Sequence, residues 1–233
     1  MNAPVALLCA GAAKGLVLAL EPAFAAATGA TIDATFGAVG ALGDKLDAGA
    51  PCDAIVLTSA LIEALEKDGR VVPGSAVSLG HVRTGIAVRG GEPSPDIGDE
   101  AALRATLAAA SRIFIPDPQR ATAGIHFAGV LRRLRLHDEL ASRLATFPNG
   151  AAAMAALAQS TARGSIGCTQ VTEIHYTSGI ALAGPLPPGF DLATAYSAAI
   201  GARARDRALA QQLVTVLGGA DSRELRERGG FKC

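Results

Sequence analysis

A chain of 233 residues is long enough to bury a sizeable core, as one large domain or as two small lobes. Its 21 Lys and Arg balance its 21 Asp and Glu, aromatic residues make up 4 %, and Trp is absent. A zero net charge speaks against nucleic acid or an acidic membrane face as partner, and no aromatic platform is present for stacking bases.

The four cysteines (Cys9, Cys52, Cys168 and Cys233) stand singly, with no C-x-x-C pair that would mark a zinc or redox site. Cys9, Cys52 and Cys168 lie in short apolar runs and are expected to be small buried hydrophobes, which fits a reducing compartment slightly better than an oxidising one. The opening MNAPVALLCAG shows no basic segment, apolar stretch of about 7–15 residues and cleavage site in succession. No run reaches the roughly 18 apolar residues that a spanning helix needs, so no membrane insertion is expected. The expected location is cytoplasmic if Met1 is the native start and periplasmic if a leader has been removed.

The elements alternate along the chain. PVALLCA reads as a strand and Lys14 to Thr28 as a helix ending at Gly29; TIDATFG is a second strand, followed by the helical AVGALGDKLDAG, which stops at Gly49. CDAIVLTS is a third strand, followed by the helical ALIEALEKDG. Strand, helix, strand, helix at this spacing implies right-handed crossovers and a parallel sheet. HVRTGIAVRGG is a longer strand, and after a Pro-punctuated loop Asp99 is the expected N-cap of a helix with Glu100 in its first turn. SRIFIPD is a strand, TAGIHFAGVLRRLRLHDEL a long helix with a basic outer face, ATFPNG a short strand and turn, and AAAMAALAQSTA a helix. GSIGCTQVTEI gives a strand followed by a turn, GIALAGPLP another apolar run and YSAAIGA a further strand, before the closing helices DRALAQQLVTVLGG and SRELRERGGF.

This order predicts an α/β fold of two Rossmann-like lobes joined by two crossover strands. Lobe I would hold residues 1–80 and 196–233, and lobe II residues 81–195. In open α/β sheets ligands bind at the carboxyl ends of the strands, so a cleft between the lobes is the expected site. Four strand-to-helix turns should meet there: Gly11–Lys14, Gly37–Ala41, Asp117–Gly124 and Pro148–Ala151. All are rich in residues whose side chains leave backbone N–H groups open. Each helix N-terminus favours an anion by about 0.3–1 kcal/mol, and several acting together make an anion site.

The order CAGAAKG, FGAVGALGDKLDAGAPCDAIVLTS, IPDPQRATAGIHFAGVLRRL, IGCTQVTEI and RERGGF resembles the periplasmic molybdate-binding proteins and their relatives of the type II solute-binding fold, over nearly the whole chain. The resemblance implies a receptor for an ABC permease, with a small anionic ligand, no cofactor, no metal and a monomeric state. In that family the first two turns each present a serine hydroxyl to the oxyanion; the matching positions here are Ala12 and Val39. The backbone contact of the P-A-G segment matches Ala123, and Gln170 stands where the family has a tyrosine. Each lost hydrogen bond to a charged oxygen costs about 1.5–3 kcal/mol, which disfavours molybdate by the family's scheme.

The replacement residues favour a small organic acid with carbon against Ala12 and Val39. Ala13, Lys14, Gly40, Thr122 and Gly150 complete the expected contacts, and the Arg120 guanidinium has the planar fork that suits a carboxylate. Relatives of this fold with a segment like Thr169–Glu173 include isomerases of small unsaturated tricarboxylates such as aconitate. Such an activity needs a base that removes a proton beside a carboxylate and returns it elsewhere. His126, Lys14 and Glu173 are the candidates. GAVGALG lacks the Lys-Ser/Thr of a phosphate-binding loop, and neither G-x-S-x-G nor H-E-x-x-H occurs. Two functions therefore stand: an anion receptor first, and a cofactor-free isomerase second.

Overall fold

The computed structural model describes residues 3–233. The chain divides into two compact units, Met1–Val82 with Thr194–Cys233 and Arg83–Ala193.

In the first unit, β1 (Val5–Ala10) has all six residues buried, as expected of a strand covered on both faces. It lies between β2 (Ile32–Gly37) and β3 (Ala54–Thr58), parallel to both, with Val5 opposite Ile32 and Leu7 opposite Ala54. Parallel neighbours require crossovers, which α1 (Lys14–Thr28) and α2 (Val39–Asp47) provide, and α3 (Ser59–Lys67) follows β3. Gly29 ends α1 with φ 69°, returning its N–H to the Ala25 carbonyl. Leu8, Leu42, Leu46, Ile55, Leu57, Ile62 and Leu65 form one apolar cluster. Each such side chain contributes about 1.5–3 kcal/mol on burial.

The chain re-enters this unit through β9 (Ala193–Ile200), antiparallel to β3 with Ala54 opposite Ile200. Next comes α9 (Arg207–Gly218), N-capped by Asp206, which accepts from the Leu209 N–H at 3.0 Å, and then α10 (Arg223–Arg228). Buried Arg226 donates to the carbonyls of Ser78, Gly218 and Gly219, fixing the C-terminal end of α9. Phe231 meets Tyr196 edge-on, which gives the closing GGF its place.

β4 (Val77–Arg89) begins before the HVRTG segment and contributes residues to both units. In the second unit its Thr84–Val88 stretch pairs antiparallel with β7 (Ile166–Gln170), and its far end with β8 (Ile180–Pro185). β5 (Ile113–Pro116) runs parallel to β6 (Leu144–Phe147) and β7. The helices are α4 (Glu100–Ala109), α5 (Thr122–Arg133), α6 (His137–Leu140), α7 (Gly150–Gln159) and α8 (Val171–Tyr176). Asp99 caps α4, accepting from the Ala102 N–H at 2.8 Å. One core cluster joins Leu103, Leu107, Phe127 and Leu131, and another joins Phe114, Met154, Leu157 and Ile174. The TQVTEI segment departs from the expected turn: β7 ends at Gln170 and passes straight into the short α8.

Candidate functional site

Among the described residues, the N-termini of the seven helices of nine or more residues fall into two groups. Side chains cap α4 (Asp99), α7 (Asn149) and α9 (Asp206). In contrast α1, α2, α3 and α5, which start beyond the carboxyl ends of β1, β2, β3 and β5, have no side-chain cap and no acid in the first turn. In α2, α3 and α5 the leading N–H groups keep their partial positive charge for another acceptor, whereas the first N–H of α1, that of Lys14, donates to the Gly11 carbonyl of the preceding turn.

In the first unit a single 3₁₀ turn, Gly11–Ala13, leads into α1. Ala12 and Ala13 are buried, and Lys14 Nζ lies 5.5 Å from the centroid of the Phe36 ring. Val39 and Gly40 open α2 and are half-buried. The third uncapped terminus, at Thr58 and Ser59, is one the sequence reading missed. A Thr-Ser pair at a helix start ordinarily signals self-capping, but Thr58 makes no cap and the Ser59 hydroxyl pairs with that of Ser197 at 2.7 Å.

In the second unit the Asp117 carboxylate folds the approach to α5, accepting from the N–H groups of Gln119 (2.7 Å) and Arg120 (3.2 Å). The Arg120 side chain is exposed, Thr122 is half-buried and Ala123 is buried. Gly124 lies so close to the carbonyls of Pro116 and Asp117 that a β-carbon there would overlap both. Beside this turn, a cavity of about 520 Å³ is lined by Asp117, Pro118, Gln119, Thr146, Phe147 and Pro148. A larger one of about 790 Å³ lies near Arg89 and Ile166, where β4 ends and β7 begins, away from these turns.

The Pro148–Ala151 turn differs from the others. Asn149 Oδ1 accepts from the Ala152 N–H at 2.9 Å, while the buried Glu173 carboxylate accepts from the N–H groups of Gly150, Ala151 and Gln170 and from the Thr169 hydroxyl. A β-carbon at Gly150 would collide with that carboxylate, so only glycine fits. Burial pushes the Glu173 carboxyl above its ordinary value, against the pull of these four donors. Gln170 is buried at the head of α8, opposite Thr84 on β4. The hydroxyls of Thr84 and Thr172 are buried without a hydrogen-bond partner among the described residues. Such groups cost about 1–3 kcal/mol each.

His126 lies on α5, half-buried, with Nε2 2.7 Å from the Phe190 carbonyl, which makes that nitrogen the N–H donor. Cys9 and Cys168 are fully buried, with thiols held well above the ordinary range by desolvation. Cys52 is only partly buried, contrary to expectation, and burial pushes its thiol up to about 12. None is a thiolate nucleophile near neutral pH. Among the described residues no group of three or more His, Cys, Asp or Glu stands where it could hold a metal ion, and no helix is long and apolar enough to cross a membrane.

The sequence model of the bacterial extracellular solute-binding proteins matches residues 5–232. The chain belongs to that family. As a solute-binding protein it is 26 % identical, over 97 % of its own length and 86 % of the relative's, to an aconitate isomerase from a Pseudomonas species. Among solved structures it is similar to the periplasmic molybdate-binding protein of Azotobacter vinelandii, with a TM-score of 0.81, 21 % identity, and coverage of 98 % of this chain and 99 % of that one. The sulfate-binding protein SubI of Mycobacterium tuberculosis gives a TM-score of 0.75 at 17 % identity, covering 99 % of this chain and 86 % of that one. These structures confirm the periplasmic-binding-protein type of α/β fold for this family member.

Proposed function

We propose that this solute-binding protein takes a small organic polycarboxylate, with its carboxylates held by backbone N–H groups at uncapped helix N-termini. One observation carries the reading: α1, α2, α3 and α5 lack both a capping side chain and a first-turn acid, whereas α4, α7 and α9 are capped. Ala12 and Val39 in place of hydroxyls favour a ligand that presents carbon as well as charge, over a tetrahedral oxyanion such as molybdate. Lys14, Arg120, Thr122, Ala123 and Gln170 are the further proposed contacts. The family membership supports a receptor that delivers its ligand to an ABC permease on the outer side of the cytoplasmic membrane.

A second reading, turnover of the same ligand class by an aconitate-isomerase activity, is favoured by the 26 % identity to such an enzyme along nearly the whole chain. Both readings share the ligand and differ in whether a base acts on it. Lys14, His126 and Glu173 are then the candidate bases; Glu173 accepts four hydrogen bonds and Nε2 of His126 faces the Phe190 carbonyl. Thermal shift against trans-aconitate, cis-aconitate, citrate, molybdate and sulfate tests the binding reading, with stabilisation by the tricarboxylates expected. Following trans-aconitate by ultraviolet absorbance tests turnover; a constant spectrum with saturable binding leaves the receptor alone standing.

A further inference from the structure

We propose that Glu173 is a positioning residue: its carboxylate takes the place of ligand charge at the N-terminus of α7 and fixes the turn that carries Gln170. The inference rests on the anion-binding reading and deepens it. In α8 the N-cap is Gln170 and Glu173 is the third helical residue, so its carboxylate reaching back to the Gln170 N–H forms half of a capping box. The same carboxylate accepts from Gly150 and Ala151, the first two residues of α7, and Asn149 covers the third, Ala152. Thr169 closes the arrangement from β7. One buried group thus ties together two helix starts and the end of a strand.

Two consequences follow. The leading N–H groups of α7 are all satisfied from within the chain, and Gly150 leaves no space beside the carboxylate, so an external anion is excluded from that turn. On the anion-binding reading, the uncapped turn of α5 is then the anion seat left in this unit, and Gln170 is held at the head of α8. Glu173 therefore influences selectivity by withholding one anion seat and by placing Gln170, without touching the ligand.

The test uses the full chain with Glu173→Ala, Glu173→Gln and Thr169→Val, reading melting temperature with and without millimolar sodium formate, and trans-aconitate affinity by calorimetry. Glu173→Ala vacates a seat lined by three amides and a hydroxyl, so formate should raise its melting temperature saturably while leaving the unaltered chain unchanged. Its trans-aconitate affinity should fall at least about tenfold, the equivalent of one charged hydrogen bond, and formate should restore most of it. Glu173→Gln should lose affinity without responding to formate. The absence of a formate-specific effect in Glu173→Ala, or affinity equal to that of the unaltered chain, overturns the assignment. Should Glu173→Ala not fold, Thr169→Val decides: weaker trans-aconitate binding at a near-normal melting temperature supports the role, and unchanged affinity refutes it. If the unaltered chain binds no trans-aconitate, the ligand reading fails by itself, and the formate response still judges the seat.

Discussion

The Nε2 of His126 lies 2.7 Å from the carbonyl oxygen of Phe190, and this contact gives the histidine a structural partner within its own unit. In the neutral ring this leaves Nδ1 as the accepting nitrogen. His126→Leu should therefore lower stability by about 1 kcal/mol, the usual worth of one hydrogen bond. At this chain length that is a fall of about 2–4 °C in melting temperature. Binding of trans-aconitate should stay within twofold. Loss of turnover with stability intact would instead make His126 the base.

Asp53 joins β1 and β3 to the start of the C-terminal region. Its buried carboxylate accepts from the Ala6 N–H at 2.8 Å, the Arg205 N–H at 2.7 Å and Arg205 Nη2 at 2.6 Å. Burial alone would raise its pKa, but the Arg205 and Ala6 hydrogen bonds outweigh it and hold the carboxyl below its ordinary 3.8. A depressed carboxylate stabilises the fold fully above the unfolded value, and that contribution disappears as pH falls through the folded one. Asp53→Asn should then have a lower melting temperature at pH 7, and the gap should narrow as the pH falls below 3.8. A gap independent of pH in melts from pH 7 to 2.5 would contradict this.

Restoring hydroxyls at the first two turns should redirect selectivity. The pair Ala12→Ser and Val39→Ser adds two donors, each worth about 1.5–3 kcal/mol to a charged oxygen. Molybdate affinity should rise at least about tenfold, with trans-aconitate weakened as its carbon loses apolar contact. Calorimetry with both ligands on the double variant decides it. Unchanged molybdate affinity would mean that these positions do not face the ligand.

Much of the fold is legible in the sequence because its signals are local. Lys14 to Thr28 has helical spacing with Gly29 at its end, and Asp99 precedes a helix with Glu100 in the first turn; both features stand as read. The turn after Gln170 was misread because six residues are too few to show helical periodicity. The candidate site was legible only in part. The Gly- and Ala-rich turns at Gly11, Gly37 and Asp117 do lead into uncapped helices, but the Thr58 terminus carries the residue type that ordinarily signals a cap. Glu173 reaching Gly150, and His126 reaching Phe190, are tertiary contacts between segments far apart in the chain, and no local pattern announces them.

Gly124 offers a test of the α5 turn. A β-carbon there would overlap the carbonyls of Pro116 and Asp117, so Gly124→Ala must push α5 away from the end of β5. Forced overpacking of this kind costs about 1–3 kcal/mol. Denaturant melts should show that loss, and trans-aconitate affinity should fall with it as the N–H groups of Thr122 and Ala123 move. Full affinity in a destabilised variant would remove α5 from the anion site.

The central claim is that peptide N–H groups left without side-chain caps hold a small polycarboxylate. Isothermal titration of the unaltered protein with trans-aconitate, beside molybdate and sulfate, tests it most directly. The account predicts saturable one-to-one heat with trans-aconitate at a dissociation constant in the micromolar range or tighter, and binding of the two oxyanions at least about a hundredfold weaker. Heat with molybdate or sulfate and none with trans-aconitate, or none with any of the three, would contradict it.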